Sequence, residues 1–113
     1  MAWCWKASAT EVTNNEGTTP STVRANQQAG FSMCLFAVTN TSIQVGHGLS
    51  VAPEMIWYKN LSQGDNWYVY HKDLASPNTQ YVYLNLTNSV AANATYNFSS
   101  VTNTTFTTHL TTG

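Results

Sequence analysis

The chain is poor in charged residues. Asp, Glu, Lys and Arg together make up 8% of its 113 residues, against about 25% in an ordinary soluble domain. Four cations and five anions give a formal net charge of −1 at pH 7. A protein that binds nucleic acid needs clustered Lys and Arg to neutralise phosphates, and no such cluster is present. We therefore expect no nucleic-acid partner.

Long apolar runs and a cysteine framework are absent too. No stretch approaches the roughly 20 apolar residues that cross a bilayer, and no signal-peptide pattern opens the chain. We expect no membrane partner. The two cysteines, Cys4 and Cys34, lie in short apolar stretches. They are interpreted as reduced thiols that act as small hydrophobes, which fits assembly in a reducing cytoplasm.

Motifs for catalysis or metal binding are also missing. No Gly-x-Ser-x-Gly occurs, and His47, His71 and His109 are the only histidines. His71 and Asp73 would share a strand face, but two ligands do not make a metal site. Nothing in the sequence supports the carboxylate spacing that a glycosidase pair needs. The sequence predicts a protein without enzymatic activity, metal or cofactor.

Neutral polar residues supply the polarity that charges do not. Thr, Asn and Ser account for 17, 12 and 10 residues. These short side chains bond to nearby backbone, so they suit turns and exposed strand faces. Such a surface is that of an ordinary all-β protein, or one that other subunits cover, since neutral polar groups cost less to desolvate than charges. Both interpretations stay open.

Short apolar stretches separated by turn signals predict an all-β fold. Strands are expected near residues 31–38, 43–45, 55–59, 67–71, 80–86 and 104–110, and no amphipathic helix of ten or more residues is apparent. Strands about ten residues apart favour an antiparallel β-sandwich. The predicted organisation is a strand over residues 1–6, a polar arm or linker over 7–22, and the sandwich module over 23–113.

The central motif is Gly46-His47-Gly48-Leu49, followed by Val51-Ala52-Pro53-Glu54-Met55-Ile56 and Lys59-Asn60. With Trp67 to Lys72 and Tyr81 to Leu86, this order of motifs resembles repeated β-modules of tailed-bacteriophage tail fibre and appendage proteins, common in marine phages. The resemblance covers roughly residues 23 to 110. It implies an antiparallel β-sandwich of the jelly-roll or concanavalin-like kind and a virion protein without enzymatic activity.

One departure from the resembled modules concerns their closing strand. They end with a strand similar to Tyr-Val-Ala-Tyr-Cys-Trp after the position of Leu110, whereas this chain stops at Gly113. A similar segment, Ala2 to Lys6, occurs near the N-terminus instead. A sheet that lacks a strand has an open edge of unpaired N–H and C=O groups. We predict that Ala2 to Lys6 fills this slot in its own sandwich or a neighbour's, with Trp3 and Trp5 as insertion anchors.

Aromatic residues crowd three successive predicted strands. Because a small domain needs its large side chains inside, Trp57, Trp67, Tyr81 and Tyr83 are predicted to be core or interface residues. Aromatic residues on the outer face, beside Asn, could instead stack on a sugar ring. The candidates for such a glycan contact are Tyr68, Tyr70 and Asn66.

The sequence therefore predicts a bacteriophage structural protein on the virion surface, assembled in the host cytoplasm. It would serve as a multi-copy module, either a capsid decoration or a tail-fibre-type appendage. Its partners would be other copies of itself and other virion proteins. The alternative is a carbohydrate-binding module that recognises host surface glycans during host attachment.

Overall fold

The computed structural model describes residues 1–2, 4–92 and 97–109, and these ranges form strands, turns and loops without any helix. Within them, accordingly, there is no helix long and apolar enough to cross a membrane. The strands are β1 (Val12–Asn14), β2 (Ser21–Asn26), β3 (Phe31–Phe36), β4 (Ser42–Gly46), β5 (Met55–Tyr58), β6 (Tyr68–His71), β7 (Gln80–Tyr83), β8 (Ala91–Ala92), β9 (Asn97–Ser99) and β10 (Thr105–His109).

The strands form three antiparallel sheets. Sheet A has the order β1-β2-β3, sheet B the order β4-β10-β9, and sheet C the order β5-β6-β7-β8. Sheets A and C are built largely from sequence neighbours, whereas β10 returns along the full length of β4. The prediction of an all-β antiparallel fold is confirmed, and the arrangement is consistent with a β-sandwich.

The core lies between sheets B and C. Alternate residues of a strand face the same side, so Ile43 and Val45 of β4 point inwards together and are almost fully buried. Phe106 of β10 pairs with Val45 and shares this face. The buried cluster is completed by Tyr70 of sheet C and Phe98 of β9. Three of the five residues of this cluster are aromatic, so rings make up much of the packing between the two sheets.

Sheet A packs on the end of β4 and on the turn that follows it, at Gly46 and Gly48. Ser21 Oγ donates a hydrogen bond of 2.7 Å to the carbonyl of Gly46 in the interior. Gly48 has a φ of +72°, and a Cβ there would lie 2.7 Å from Val23 Cγ1. Glycine at position 48 therefore permits both the turn and the close approach of β2.

The polar linker predicted over residues 7–22 is wrong in part, because this stretch contains β1 and the start of β2. Val12 of β1 pairs with Val23. Arg24 of β2 binds two residues that precede β1: the carbonyl of Ala9 at 2.9 Å and the carboxylate of Glu11 at 3.3 Å. A three-residue edge strand among polar neighbours shows no apolar alternation, so the sequence pattern did not reveal it.

The strand predicted over residues 1–6 is likewise not present in the described part of that segment, namely residues 1–2 and 4–6. Trp3 lies outside the described residues. Asn26 donates a side-chain hydrogen bond to the carbonyl of Lys6 at 3.3 Å, and Trp5 stacks on Phe31. The segment therefore crosses the end of the β2–β3 hairpin and contacts sheet A through side chains.

Candidate functional site

A wide groove of about 1460 Å³ separates β3 from β5. β3 is the terminal strand of sheet A, and β5 is the terminal strand of sheet C. The groove is therefore bounded by two strand edges, each with a row of backbone N–H and C=O groups that no other strand of the described residues pairs. Its floor includes Phe106, which belongs to the buried core between sheets B and C.

The groove collects the apolar surface of the molecule. Of the fourteen large hydrophobic residues that are exposed in the described ranges, nine line it. They are Trp5, Met33, Leu35, Val38, Val51, Met55, Trp57, Leu61 and Trp67. Single exposed hydrophobic residues are ordinary on a soluble protein, but a contiguous set marks a binding surface.

Aromatic side chains connect the two walls of the groove. The Trp5 ring lies 6.2 Å from the Phe31 ring on β3 and 6.1 Å from the Trp57 ring on β5. Elsewhere along the walls, Phe36 stacks on Tyr58 at 6.1 Å. These centroid distances are within the range of favourable aromatic pairs. The groove is thus bridged by ring contacts, while within the described part of the chain no strand pairs with the β3 or β5 edge that faces it.

A polar loop lies beside the apolar walls. Asn60 donates a hydrogen bond to the carboxylate of Asp65 at 3.2 Å, and Lys59 Nζ binds the carbonyl of Gln63 at 3.0 Å. Burial, and to a smaller extent the negative charge of Asp65, raises the pKa of Tyr58 above its ordinary value. Tyr58 is therefore a neutral hydroxyl at physiological pH. The loop offers amide and carboxylate groups to a ligand that also contacts the aromatic walls.

Glu54, which directly precedes β5, forms an ion pair with Lys72. Its carboxylate lies 2.9 Å from Lys72 Nζ, and its carbonyl accepts a hydrogen bond from the Lys72 backbone. The hydrogen bond and charge of Lys72 lower the pKa of Glu54 below its usual range. A general acid needs a raised pKa instead. Glu54 is therefore placed to hold the start of β5 against the end of β6.

His47, in the glycine-bracketed turn, is 2% exposed. The backbone N–H of Leu49 donates to its Nδ1 at 3.1 Å, and its Nε2 lies 3.0 Å from the carbonyl of Thr102. Because Nδ1 accepts, the ring carries its proton on Nε2 and donates it to that carbonyl. Both ring nitrogens are thus used to fasten the turn to the loop before β10.

The other two histidines lie on different sheets, His71 on sheet C and His109 on sheet B. His71 lies on β6 with Asp73 at 3.8 Å, and His109 on β10 contacts Ser99 at 3.1 Å. Across the described ranges, no three His, Cys, Asp or Glu side chains come together as a metal site would require. Cys34, on β3, has its pKa raised by burial, which lowers the reactivity of its thiol.

The predicted core or interface aromatics divide into two groups. Tyr81 is buried and Tyr83 half-buried, and their rings pack together at 5.3 Å on sheet C. Trp57 and Trp67 are 48% and 40% exposed and line the groove. These two tryptophans are therefore outside the core.

One of the three predicted glycan contacts, Tyr70, is wrong. Tyr70 is 6% exposed and belongs to the core cluster, so it cannot meet a sugar. Its pairing with Ile56 places it on the inner face of sheet C. Tyr68 shares that face, with its ring 5.2 Å from the Tyr81 ring. Asn66 accepts a hydrogen bond from Asn85 at 3.0 Å. Of the aromatic residues that the structure describes, the exposed ones are Trp5, Trp57 and Trp67.

The sequence reasoning missed the β3 wall. Met33 and Leu35 are each 59% exposed although they sit in an apolar strand. The signal was present: Phe31 to Phe36 lacks the apolar–polar alternation of a half-exposed strand, as does Met55 to Tyr58. Runs that are apolar on both faces are typical of strands whose two faces are both covered by other parts of a protein. Here both runs lie at sheet edges.

Together, the fold and the groove define the class: a small all-β domain with an apolar groove between two strand edges. A family model covers the whole chain, residues 1–113, and its description is a domain of unknown function, DUF7483. The chain belongs to this family. No curated protein and no solved structure matches the chain.

Proposed function

We propose that this chain is a structural protein of a tailed-bacteriophage virion, present in many copies on the virion surface. It would act as a capsid decoration or a tail-fibre-type appendage, without catalysis, through packing against other copies and other virion proteins. It would assemble in the host cytoplasm. The phage assignment rests on the resemblance of the motifs between Ala25 and Leu86 to phage appendage modules.

The observation that carries the structural role is the groove between β3 and β5. Nine exposed large hydrophobic residues gather there on a domain with few charges. Large exposed apolar patches are typical of surfaces that another protein covers. Interfaces are depleted in charge and enriched in Trp and Met at their centres, as this groove is. Subunit packing accounts for the composition and the groove together.

The experiment is to locate the protein on particles. An antibody raised against the purified chain is applied to purified phage particles and followed by immunogold electron microscopy, with copy number measured by quantitative mass spectrometry. We expect many copies per particle at one type of location. Absence from purified particles, with the protein abundant in the infected cell, would contradict the proposal. Particles of an unrelated phage grown on the same host are the control.

A carbohydrate-binding module is the second candidate. The observation that favours it is that Trp57 and Trp67 are exposed in the same groove as the Asn60–Asp65 pair. Tryptophan faces beside amide and carboxylate groups suit a sugar ring. This role predicts binding on a glycan array that Trp57→Ala removes and Leu84→Ala, at an exposed residue outside the groove, leaves intact. Unaltered array signals with Trp57→Ala would contradict it.

A further inference from the structure

The two strands beside the groove have sequences suited to the interior of a sheet. Met33-Cys34-Leu35-Phe36 and Met55-Ile56-Trp57-Tyr58 are apolar or aromatic on both faces. β1, at the opposite edge of sheet A, has the sequence Val12-Thr13-Asn14 and is mostly polar. An apolar edge strand invites pairing with a further strand, whereas a short polar edge strand does not. β3 and β5 thus match a sheet in which each has one further neighbour.

The aromatic contacts indicate the width of the gap. Trp5 lies between Phe31 and Trp57, at 6.2 and 6.1 Å from their rings. Neighbouring strands lie about 4.8 Å apart, so two strands that flank a third are separated by about 10 Å. One residue already spans the walls at this point. The groove therefore suits the insertion of a single extended segment.

The residues along the walls specify the pattern of that segment. Met33, Leu35 and Trp57 are exposed on the outer side of the groove. On the inner side, Phe36 and Tyr58 are stacked over the core and leave little room. An inserted strand should therefore carry large apolar residues at alternate positions facing out and small residues facing in.

Residues 2–5 of this chain have this alternation, because Trp3 and Trp5 alternate with the small residues Ala2 and Cys4. Lys6, which follows, is long and charged and ends the pattern. Trp5 already contacts the outer aromatic residues of both walls. In its own chain, however, the segment crosses the Phe31 end of the hairpin, and Met33 and Leu35 stay exposed. The remaining length of β3 has no cover from its own chain within the described residues.

We propose that residues 1–6 of a second copy of this chain lie between β3 and β5 as an added strand. This strand joins sheets A and C into one continuous sheet, with its Trp5 between Phe31 and Trp57 and its Ala2 and Cys4 towards the core. For this exchange the acceptor's own residues 1–6 leave the end of the β2–β3 hairpin. The contacts of its Trp5 with Phe31 and Trp57 are then replaced by those of the second copy, and backbone pairing along β3 and β5 is gained. The proposal rests on the proposed function, in which copies pack together, and names the contact that joins them.

The test is complementation between two variants, in a reducing buffer because Cys4 is a free, exposed thiol. The acceptor lacks residues 1–6 but keeps the groove. The donor keeps residues 1–6 but carries Leu35→Lys, which puts a charge where the added strand must pack. We expect each variant alone to be monomeric and their mixture to form a 1:1 complex by sedimentation velocity. The wild-type chain should self-associate at least about tenfold more tightly than either variant alone.

Val12→Lys is the matched control, because Val12 is also an exposed apolar residue of an edge strand, at 53%. A full-length chain with Val12→Lys should self-associate like the wild type. Hydrogen–deuterium exchange gives a second readout. On mixing donor and acceptor, backbone amides of the acceptor in residues 31–36 and 55–58 should become protected at least about tenfold, since new strand pairing shields them.

Three results overturn the proposal. The first is self-association of the chain lacking residues 1–6, which would mean that copies meet elsewhere and would leave the multi-copy role standing. The second is a wild type that stays monomeric at all concentrations with β3 amides already protected, which would mean insertion within one chain. The third is equal disruption by Val12→Lys and Leu35→Lys. Should the shortened chain fail to fold, full-length Trp3→Ser with Trp5→Ser serves as the acceptor, and the same criteria apply.

Discussion

The two edges of sheet A are built differently. At the β1 edge, Arg24 reaches across to Glu11 and Ala9, and Asn14 bonds with Glu16, so polar groups close off a three-residue strand. At the β3 edge, six residues carry Met33 and Leu35 into solvent. Short edge strands with charges nearby resist pairing with other chains, and long apolar ones invite it.

The difference indicates which edge of sheet A is protected against pairing with another chain. The β1 edge has the protection that natural sheets use against unwanted association. Among the residues that the structure describes, none protects the β3 edge in this way, and that edge faces β5 across an apolar groove. The domain thus combines a closed edge and an open edge on one sheet only three strands wide. We infer that association is directed to the open edge, and the following variants test how far the two sides differ.

The largest effect is expected in the floor of the groove. Phe106→Ala removes a ring that is 4% exposed and packs on Phe36 and Phe98. It should lower the free energy of unfolding by about 3–5 kcal/mol, measured by urea denaturation. Phe31→Ala, in the half-buried rim, is the control and should cost less than about 1.5 kcal/mol. Equal losses would show that the rim belongs to the core.

The second prediction tests the contact between β1, at the closed edge of sheet A, and Gly46 of β4. A Cβ at Gly46 would overlap the side-chain amide of Asn14 on β1. Gly46→Ala should therefore lower the free energy of unfolding by about 1–3 kcal/mol, and Asn14→Ala in the same chain should restore part of it. Gly64→Ala, where the new Cβ meets nothing within 4 Å, is the control. Without any rescue by Asn14→Ala, this account of the β1 contact is wrong.

The third effect compares the two thiols. Cys4 is exposed, whereas burial raises the pKa of Cys34 on β3 and leaves less thiolate near pH 7.5. Cys4 should react with a thiol reagent at least about tenfold faster. The rates are measured on Cys34→Ser and Cys4→Ser, each with one thiol, at concentrations where the chain is monomeric. Similar rates would mean that the inner side of β3 is open to solvent.

The smallest effect concerns the ion pair at the closed edge. Arg24→Ala removes the contacts with Glu11 and Ala9 and should cost up to about 1 kcal/mol, less at high salt, since the pair is exposed. Amides of residues 9–13 should exchange faster. Lys72→Ala removes a comparable exposed pair with Glu54 and should leave those amides unchanged. Similar exchange in both variants would mean that Arg24 does not hold this edge.

Much of the fold was predictable from local pattern. The strands around residues 31–36, 42–46, 55–58, 68–71, 80–83 and 105–109 coincide with apolar stretches between turn residues. β1 was missed because three residues cannot display a period. The glycan candidates failed at Tyr70, because period-two alternation says which residues share a face but not which face meets the core.

The sequence by itself determined that this protein is an all-β domain with little charge and an excess of aromatic residues. These properties follow from alternation, turn chemistry and composition, which act locally. Only the tertiary structure decided that β3 and β5, whose sequences suit the interior of a sheet, lie at two facing edges. The neighbour of a strand is set by contacts distant in the sequence, so the groove and its open edges appear only when sheets A and C are placed beside each other.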